Sequence, residues 1–512
     1  MRLLNSVTLL LEEFDALHIP RYAILSHTWE HDEVQFADME KGTASTKAGY
    51  AKIVGCARKA AIKEIPYVWI DTCCIDKSSS AELSESINSM YRWYRDATVC
   101  FVYLADVQTP AADAKFADVV TAQMQESRWF TRGWTLQELI APKSLQFYSS
   151  TWHYLGEKNE FLHKLEKITG IDASALQGRH PSHYTAARKM SWASKRQTTR
   201  KEDVAYCLLG IFDINMPLLY GEGERAFLRL QEEIIKSTDD QSLFAWRYPD
   251  SEPLPPSSGL LASHPRFFAE SARFSNLTFW NLGQPASVMN RAIRASLFLI
   301  KRHPTLPDNE LYRACLGCTT GTGISGMTPT IYLAKISDTS GEPIFCRVKL
   351  SKIELLDAKD KRGGTNQTVY VTSFVEQHFN RINVLQGLTL FWFRKVPHMA
   401  FPEAQWDPQT QLLWTDSTSG KIAAVLFDDI IPGKVLILGF AESSPWCQIS
   451  DCHSGSHEEV WNSYEPSGQE SRKHEVAIGD GLFACAKIET TRILLRDIHS
   501  VQIFTTSQPQ ES

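Results

Sequence analysis

The sequence predicts an α/β domain with a parallel sheet, then a helical segment, then a β-rich region. Residues 20–150 alternate strand-like apolar runs with segments of helical periodicity, whereas residues 156–250 are helical throughout. From about residue 260, short β-rich runs are separated by Gly, Pro, Asp and Asn. A chain of 512 residues is long enough for about three domains. We therefore place the domains at residues 1–155, 156–255 and 256–512.

Buried strands and amphipathic helices alternate in the first of these domains. Apolar residues at helical spacing predict the helices, and apolar runs of strand length predict the strands between them. Strands that alternate with helices in this way form a parallel sheet covered on both faces. The predicted strands lie at 21–29, 66–75, 98–107 and 144–150, and the predicted helices at 45–65 and 78–97.

The pattern of apolar and polar residues changes twice further along the chain. Three amphipathic segments predict helices between residues 156 and 250, and the Pro/Ser-rich stretch 248–259 predicts a linker or long loop. The many short strands beyond it indicate an antiparallel sandwich or barrel. These runs are LTFWNLG, ASLFLIK, TIYLAKI, IFCRVKL, QTVYVTSF, LTLFWFR, KVLILGF and TRILLRD.

Composition excludes several classes of protein. A net charge of −6 and a pI near 6.2 argue against nucleic-acid binding, which needs a basic surface. No apolar run reaches the length of about 18 residues that a membrane span requires. The N-terminal apolar patch is followed by acidic residues rather than by a signal-peptide cleavage site. The 11 scattered cysteines fit buried free thiols in a reducing compartment, so we expect a cytoplasmic protein.

Four ordered blocks within residues 20–150 resemble one family. The blocks are YAILSHTW, VWIDTCCIDK, SINSMYRWYRDATVCFVYLADV and RGWTLQELIAP. In order and spacing they resemble the fungal heterokaryon-incompatibility (HET) domain. Residues 198–236 are similar to the helical segment that commonly follows HET domains. The resemblance implies a role in non-self recognition and programmed cell death, with the HET domain as the lethal effector.

The order of elements in the HET domain also resembles a Toll/interleukin-receptor (TIR) domain, which has a flavodoxin-like parallel sheet. The resemblance places Ser26 and Asp71 at two strand ends, and Trp134 and Glu138 in a W-x-x-x-E helix. Many TIR domains cleave the nicotinamide–ribose bond of NAD with that glutamate. The resemblance therefore implies that Glu138 is catalytic, that NAD is a substrate rather than a cofactor, and that no metal is needed.

The residues themselves support a pocket at the carboxyl edge of the sheet. Trp134 and Glu138 are four residues apart and share a helix face if the helix runs from about Arg132 to Pro142. A carboxylate beside the ribose would stabilise the cationic character that develops when a glycosidic bond breaks. The indole would form a flat wall for stacking. Other residues that we expect to line the pocket follow the first two strands: Ser26, His27, Trp29 and Asp71.

Each of these residues also has a simpler interpretation. Trp134 would be a core residue and Glu138 the partner of a nearby arginine. Asp71 would cap a turn or, with Asp76, hold a divalent cation, and the turn is the favoured alternative. His27 beside Cys73 or Cys74 would form a nucleophile pair, although thiols in an apolar strand are usually inert.

Two motifs in the β-rich region resemble cofactor sites but lack the expected context. The stretch GTGISG at 321–326 is followed by Pro329 and a β-rich run, not by the helix of a dinucleotide-binding motif. The CLGC motif at 315–318 lies in a strand pattern, far in sequence from Cys452 and His453. We interpret the first as a turn and assign no zinc site to the second.

Two classes of function remain open at this point. The first is an enzyme that hydrolyses NAD. The second is a non-enzymatic adaptor that signals by self-association through the HET domain, with exposed aromatics such as Trp93 on helix 78–97 as the surface. In either class, the β-rich region could sense a partner or ligand that the sequence does not identify.

Overall fold

The structure is a computed structural model that describes most of the chain. The chain forms two compact units. The first unit comprises residues 1–301, 312–333 and 347–373, and the second comprises 302–311, 334–346 and 374–512. The domain boundaries at 155 and 255 stay predictions. The residues outside the description are 110–115, 254, 256, 277–284, 291, 302–310, 322–325, 338–342, 358, 373–388, 394–398, 402–405, 408–411, 416–419, 427–433, 442–443, 452–456, 466–470, 480–481, 494–495 and 507–512.

A seven-stranded sheet forms the centre of the N-terminal α/β region. Its strand order is β2-β1-β4-β3-β5-β6-β7, and the four central strands β4, β3, β5 and β6 are parallel. The outer pairs β1–β4 and β6–β7 are antiparallel. The strands are β1 (Arg2–Asn5), β2 (Leu11–Glu13), β3 (Tyr22–His27), β4 (Tyr67–Trp69), β5 (Val99–Tyr103), β6 (Leu145–Tyr148) and β7 (Tyr154–Glu157).

The parallel centre of the sheet confirms the predicted α/β class. All four predicted strands form, although β4 stops at Trp69 because the chain turns before the two cysteines. The order of the central strands reverses between β3 and β5, so the connections from these strands leave in opposite directions. In open α/β sheets this reversal opens a crevice at the carboxyl ends of the strands.

Helices connect the parallel strands, and the two longest each bury residues along one face. The longest, α3, is capped by Ser79, whose hydroxyl accepts a hydrogen bond from the Glu82 backbone N–H at 3.3 Å. Trp93 on α3 is buried, which contradicts its expected role in an exposed surface. The helices are α1 (Phe36–Glu40), α2 (Tyr50–Ile62), α3 (Ser80–Asp96), α4 (Phe116–Glu126) and α5 (Thr135–Ile140).

The predicted helical segment consists of short helices and one long amphipathic helix. Gly170 and Asp213 end two of them in the left-handed conformation, which stops a helix. The helices are α6 (Leu162–Thr169), α7 (Ala173–Leu176), α8 (Ala186–Ala193), α9 (Asp203–Tyr206), α10 (Leu209–Phe212) and α11 (Arg225–Ser237).

The chain beyond this segment is rich in strands, as predicted. In the first unit, β10 pairs antiparallel with β9, β11 and β16, and β13 pairs with β15. The predicted run LTFWNLG lies outside the described residues. The strands between residues 274 and 372 are β8 (Phe274–Asn276), β9 (Ser287–Val288), β10 (Ala292–Lys301), β11 (Leu311–Cys315), β12 (Cys318–Thr320), β13 (Thr328–Ser337), β14 (Ile344–Val348), β15 (Glu354–Leu356) and β16 (Thr365–Thr372).

The second unit contains a six-stranded sheet, β19-β20-β17-β26-β25-β24, and a four-stranded sheet, β18-β21-β22-β23. Apolar residues of both sheets form one core, in which Leu436 and Leu438 share a cluster with Ile488 and Val501. The elements are β17 (Thr389–Phe393), β18 (Met399–Phe401), β19 (Trp406–Asp407), β20 (Leu412–Thr415), β21 (Gly420–Leu426), β22 (Lys434–Ala441), β23 (Ser444–Asp451), α12 (His457–Ser463), β24 (Lys473–Gly479), β25 (Leu482–Ile493) and β26 (Arg496–Thr506).

Several general properties follow from the described residues alone. None of their helices is long and apolar enough to cross a membrane. Their ten cysteines are buried and form no disulfide. No three of their His, Cys, Asp and Glu side chains are grouped closely enough to hold a metal ion.

The packing of α10 against α3 requires glycine at position 210, because a larger residue would collide with α3. This requirement gives a test of the fold. A Cβ atom at Gly210 would lie 2.0 Å from the Cβ of Tyr91. We expect Gly210→Ala to lower the free energy of unfolding by about 1–3 kcal/mol through overpacking. The measurement is chemical denaturation of the purified protein.

Gly170→Ala is the control, because Gly170 has a φ of +69° but no atom within 4 Å of the added Cβ. Its loss should be about 1 kcal/mol, from backbone strain alone. An equal or smaller loss at Gly210 than at Gly170 would contradict the described packing.

Candidate active site

Polar side chains gather where β3 and β4 end, at the carboxyl edge of the parallel sheet. Ser26 and His27 are the last residues of β3, and Asp71 follows β4 by two residues. Because β3 and β4 are parallel neighbours, both ends open on the same edge. Ser26 and His27 are buried even though they are polar, so each needs hydrogen-bond partners within the protein.

Ser26 connects a buried carboxyl group to a buried indole. Its hydroxyl donates to Oε2 of Glu138 and accepts a hydrogen bond from Nε1 of Trp129 at 2.8 Å. Trp129 lies in a 3-10 helix, residues 128–131, that Ser127 caps, and Glu138 lies in the first turn of α5. Glu138 is only 7% exposed and Trp129 only 1%. The serine therefore fixes the orientation of the carboxyl group.

The surroundings of Glu138 disfavour its charged form. Burial, together with the negative charge of Asp71, raises its pKa to about 8. The Ser26 hydrogen bond and the positive charge of Arg196 act in the opposite direction. Glu138 therefore exchanges its proton near neutral pH, as a group in acid–base or electrostatic catalysis must.

A second network surrounds Asp71. Its Oδ1 atom lies 3.1 Å from Nε2 of His27, and its Oδ2 atom accepts a hydrogen bond from Nε1 of Trp29 at 2.8 Å. Burial opposes its charge, but the His27 hydrogen bond, the charge of Lys77 and the Trp29 hydrogen bond hold the pKa of Asp71 below its ordinary value. Asp71 thus binds two side chains of the β3 end rather than capping a turn.

Lys52 and Glu33 determine which nitrogen of His27 carries the proton. The Lys52 ammonium forms a buried ion pair with Glu33 and lies 3.3 Å from Nδ1 of His27. An ammonium group can only donate, so Nδ1 accepts and Nε2 of a neutral His27 donates to Asp71. The sequence alone did not identify Lys52 or Glu33, because both come from outside the strand ends.

Trp29 and Lys77 form the solvent-facing rim of this edge. The Trp29 indole is 47% exposed, and Nζ of Lys77 lies 3.7 Å from the centre of its ring. Burial lowers the pKa of Lys77, although the charge of Asp71 partly offsets this effect. The rim therefore offers an aromatic face and a positive charge next to the buried polar groups.

Comparison with known proteins shows that the region containing this edge resembles a known family. The family model described as Heterokaryon incompatibility protein (HET) matches residues 22–119. The chain is also 49% identical over 235 residues to the Vegetative incompatibility protein HET-E-1 of Podospora anserina. Residues 22–119 are therefore similar to the HET domain. The Podospora match covers 45% of the chain but only 17% of the relative, so the chain spans a small part of its length.

Two further comparisons concern the rest of the chain. A Domain of unknown function (DUF8212) matches residues 225–280, which begin with α11. No solved structure matches the chain significantly.

The HET match contains only part of the site. Ser26, His27, Trp29 and Asp71 lie within residues 22–119, whereas Glu138 lies beyond them. The structure brings Ser26, His27 and Asp71 to the same edge as Glu138, as the sequence predicted, and places Trp29 at its rim. Trp129 also belongs to this group, and only its position in the same short stretch as Glu138 could have indicated it.

Trp134 occupies a different place from the one expected. Helix α5 begins at Thr135 rather than near Arg132, and Trp134 is the residue that precedes its first turn. The indole of Trp134 hydrogen-bonds to Asp203 in the helical segment. The indole that contacts the Ser26–Glu138 pair is therefore that of Trp129.

The alternative of a cysteine–histidine pair is wrong. Both cysteines are buried in the turn after β4, and Nε2 of His27 faces Asp71. A hydrogen bond with Cys74, together with burial, raises the pKa of Cys73 well above its ordinary value. A thiol that remains protonated is a poor nucleophile.

The raised pKa of Glu138 predicts a pH-dependent effect on stability. The folded protein holds this proton up to about pH 8, whereas an unfolded glutamate releases it near 4.5. The free energy of unfolding therefore falls as pH rises from about 4.5 to about 8. Glutamine does not titrate, so Glu138→Gln should gain stability relative to the wild type over this window, by about 1.4 kcal/mol per pKa unit.

Urea denaturation between pH 5 and pH 9 measures this difference. Glu40→Gln is the matched control, since Glu40 is exposed at the end of α1, and its difference from the wild type should not change over the same range. A constant difference for Glu138→Gln would show that Glu138 does not hold its proton in the folded protein.

Proposed function

We propose that this protein acts in heterokaryon incompatibility as a cell-death effector whose HET domain hydrolyses NAD at the nicotinamide–ribose bond. The observation that carries the proposal is the buried Glu138–Ser26–Trp129 chain at the carboxyl edge of a parallel sheet. The incompatibility role rests on the HET match and on the printed name of the Podospora relative. Because NAD is an intracellular substrate, the proposed place of action is the cytoplasm.

Glu138 has the position and the environment to assist the departure of nicotinamide. When the bond between the ribose C1′ and the ring nitrogen breaks, its electron pair leaves with nicotinamide, which becomes neutral. The ribose gains oxocarbenium character, which a fixed carboxylate stabilises. A water oxygen then bonds to C1′, and the proton it loses passes to the carboxylate. No acid is needed for the leaving group.

The pKa near 8 suits the second of these steps. A carboxylate with this pKa is a stronger base than an ordinary glutamate and accepts the water proton more readily. The positive charge of the nicotinamide ring in bound NAD would also favour the ionised form of Glu138. Ser26 and Trp129 keep the carboxylate oriented while its charge changes.

The rim of the site offers groups that suit the remainder of a dinucleotide. The exposed Trp29 indole is a stacking surface for an aromatic ring, and its hydrogen bond to Asp71 fixes its orientation. The ammonium of Lys77 lies over that ring and supplies positive charge for a diphosphate. A TIR-like arrangement, with the ligand at the point where the strand order reverses, agrees with these positions.

The pH dependence of nicotinamide release by the full-length protein tests the proposal. The reactive form is the carboxylate, so the rate should rise with pH through about 8 and then level off. Glu138→Gln should lower kcat by about a hundredfold or more, which is the usual cost of removing a group that stabilises charge in the transition state. Nicotinamide is measured by chromatography.

Glu40→Gln is again the control and should release nicotinamide at the wild-type rate. Normal turnover by Glu138→Gln would remove the proposed role of this residue. If the wild type releases no nicotinamide, and toxicity in cells survives Glu138→Gln, the result would favour the adaptor that signals by contact.

A further inference from the structure

Two buried cations hold the helix that carries Glu138. Lys158, just beyond β7, is 3% exposed and donates hydrogen bonds to the carbonyls of Leu139 at 3.3 Å and Pro142 at 2.7 Å. These are carbonyls at the C-terminal end of α5, where a positive charge is favourable. Arg196 acts at the other end of α5, and it comes from the segment that follows α8.

Arg196 connects the start of α5 to the turn that carries Trp129. Its Nη1 donates to the Arg132 carbonyl at 2.7 Å and to Oγ1 of Thr135 at 2.8 Å. The Thr135 hydroxyl in turn donates to the Trp129 carbonyl at 2.5 Å. One guanidinium group therefore holds in place both segments from which Glu138 and Trp129 extend.

Among the residues that the structure describes, the same guanidinium has unused hydrogen-bonding capacity and forms no ion pair with a carboxylate. Arg196 is 6% exposed, and among the described residues its Nε and Nη2 atoms have no hydrogen-bond partner. A buried cation in this state is costly unless a nearby anion compensates it. Its charge acts on the Cys207 thiol and on one carboxyl group, that of Glu138.

The backbone on either side of Arg196 is attached to the same loop. The Gln197 backbone N–H donates to the Thr131 carbonyl at 2.7 Å, and the Gly133 N–H donates to the Gln197 carbonyl at 2.8 Å. A Cβ atom at Gly133 would lie 2.5 Å from Cγ2 of Thr198, so the two segments approach as closely as glycine allows. This attachment leaves Arg196 little freedom to move away.

We propose that the active site is completed by the helical segment, with Arg196 as a positioning residue that orients Glu138 and balances its charge when it ionises. This inference rests on the proposed function for its catalytic consequence. It extends the site beyond residues 22–119 of the HET match, and residues 1–155 alone would lack Arg196. The ionised state is then possible inside the protein because a compensating cation is already in place.

Other groups also act on Glu138, and the test has to separate them from Arg196. Ser26 on β3 hydrogen-bonds to its carboxyl group. The Tyr94 hydroxyl on α3 favours its ionisation, and the charge of Asp71 after β4 opposes it. Cys100 on β5 is electrostatically coupled to it. Substitutions at Arg196 leave all four of these groups unchanged.

The experiment measures the titration of Glu138 directly, without reference to NAD. Full-length protein is labelled with ¹³C at glutamate side-chain carboxyls, and the Glu138 resonance is assigned by its loss in Glu138→Gln. We expect Arg196→Gln to move the titration midpoint upward from the wild-type value. Arg196→Lys, which keeps the charge, should titrate close to the wild type. Lys195→Gln removes an exposed charge one residue away and is the matched control.

Nicotinamide release supplies the second readout. At pH 7, Arg196→Gln should lower kcat by about tenfold for each unit by which the midpoint rises, with little change in KM. Gly133→Ala retains every charged group but displaces residues 197–198, and should also lower kcat. It provides the positional test if Arg196→Gln does not fold.

The outcomes separate the two proposals. An unchanged midpoint in Arg196→Gln would overturn the role of Arg196, whether or not NAD is hydrolysed. If Arg196→Gln does not fold, a wild-type titration midpoint and a wild-type kcat in Gly133→Ala would overturn it. If the wild type releases no nicotinamide but the midpoint shifts in Arg196→Gln, NAD hydrolysis would be overturned and the pairing of Arg196 with Glu138 would remain.

Discussion

A carboxyl group buried against a serine hydroxyl at the end of a parallel strand is the interaction on which the N-terminal region depends. A buried carboxyl group is tolerated only if it is neutral or if hydrogen bonds and opposite charge compensate it. Glu138 has both kinds of support, from Ser26 and from Arg196. The sheet supplies the serine, the 3-10 helix supplies the indole that fixes it, and the helical segment supplies the cation. These elements must be assembled together for the acid to remain buried.

The two acidic residues at the edge of the sheet have pKa values that are shifted in opposite directions. Burial raises the pKa of Glu138, whereas hydrogen bonds and nearby cations lower that of Asp71. Two titratable groups whose pKa values are driven apart in one site are a common arrangement in enzymes, because each can then take a different role. Here Asp71 remains charged and orients His27 and Trp29, while Glu138 is free to exchange its proton.

The sequence predicted the helices whose apolar residues recur at a clear helical period and the strands that form long apolar runs. Helices α2 and α3 and strands β3, β5 and β6 form close to the predicted positions. The N-terminal hairpin β1–β2 and strand β7 were not predicted, because runs of three or four residues are too short to establish a period.

The candidate site was predictable where it depends on strand order and not where it depends on helix geometry. Ser26, His27 and Asp71 could be grouped from the sequence because parallel strands end at a common edge. The choice of Trp134 as the neighbouring indole assumed that α5 begins three residues earlier than it does. Lys52 lies in α2 and Arg196 in the segment after α8, and spacing carries no information about where such side chains point.

The pairing of the strands in the second unit has a consequence for protein synthesis. Strand β17 ends at Phe393 and pairs in parallel with β26, which begins at Arg496, so this sheet closes only after residue 496 and those that follow it in β26 have been made. The α/β sheet and the segment around Arg196 are translated much earlier. Domains fold as units while the chain emerges from the ribosome. A message that ends before residue 496 would therefore yield a chain in which the α/β sheet around Glu138 is folded but the sheet that contains β17 is incomplete.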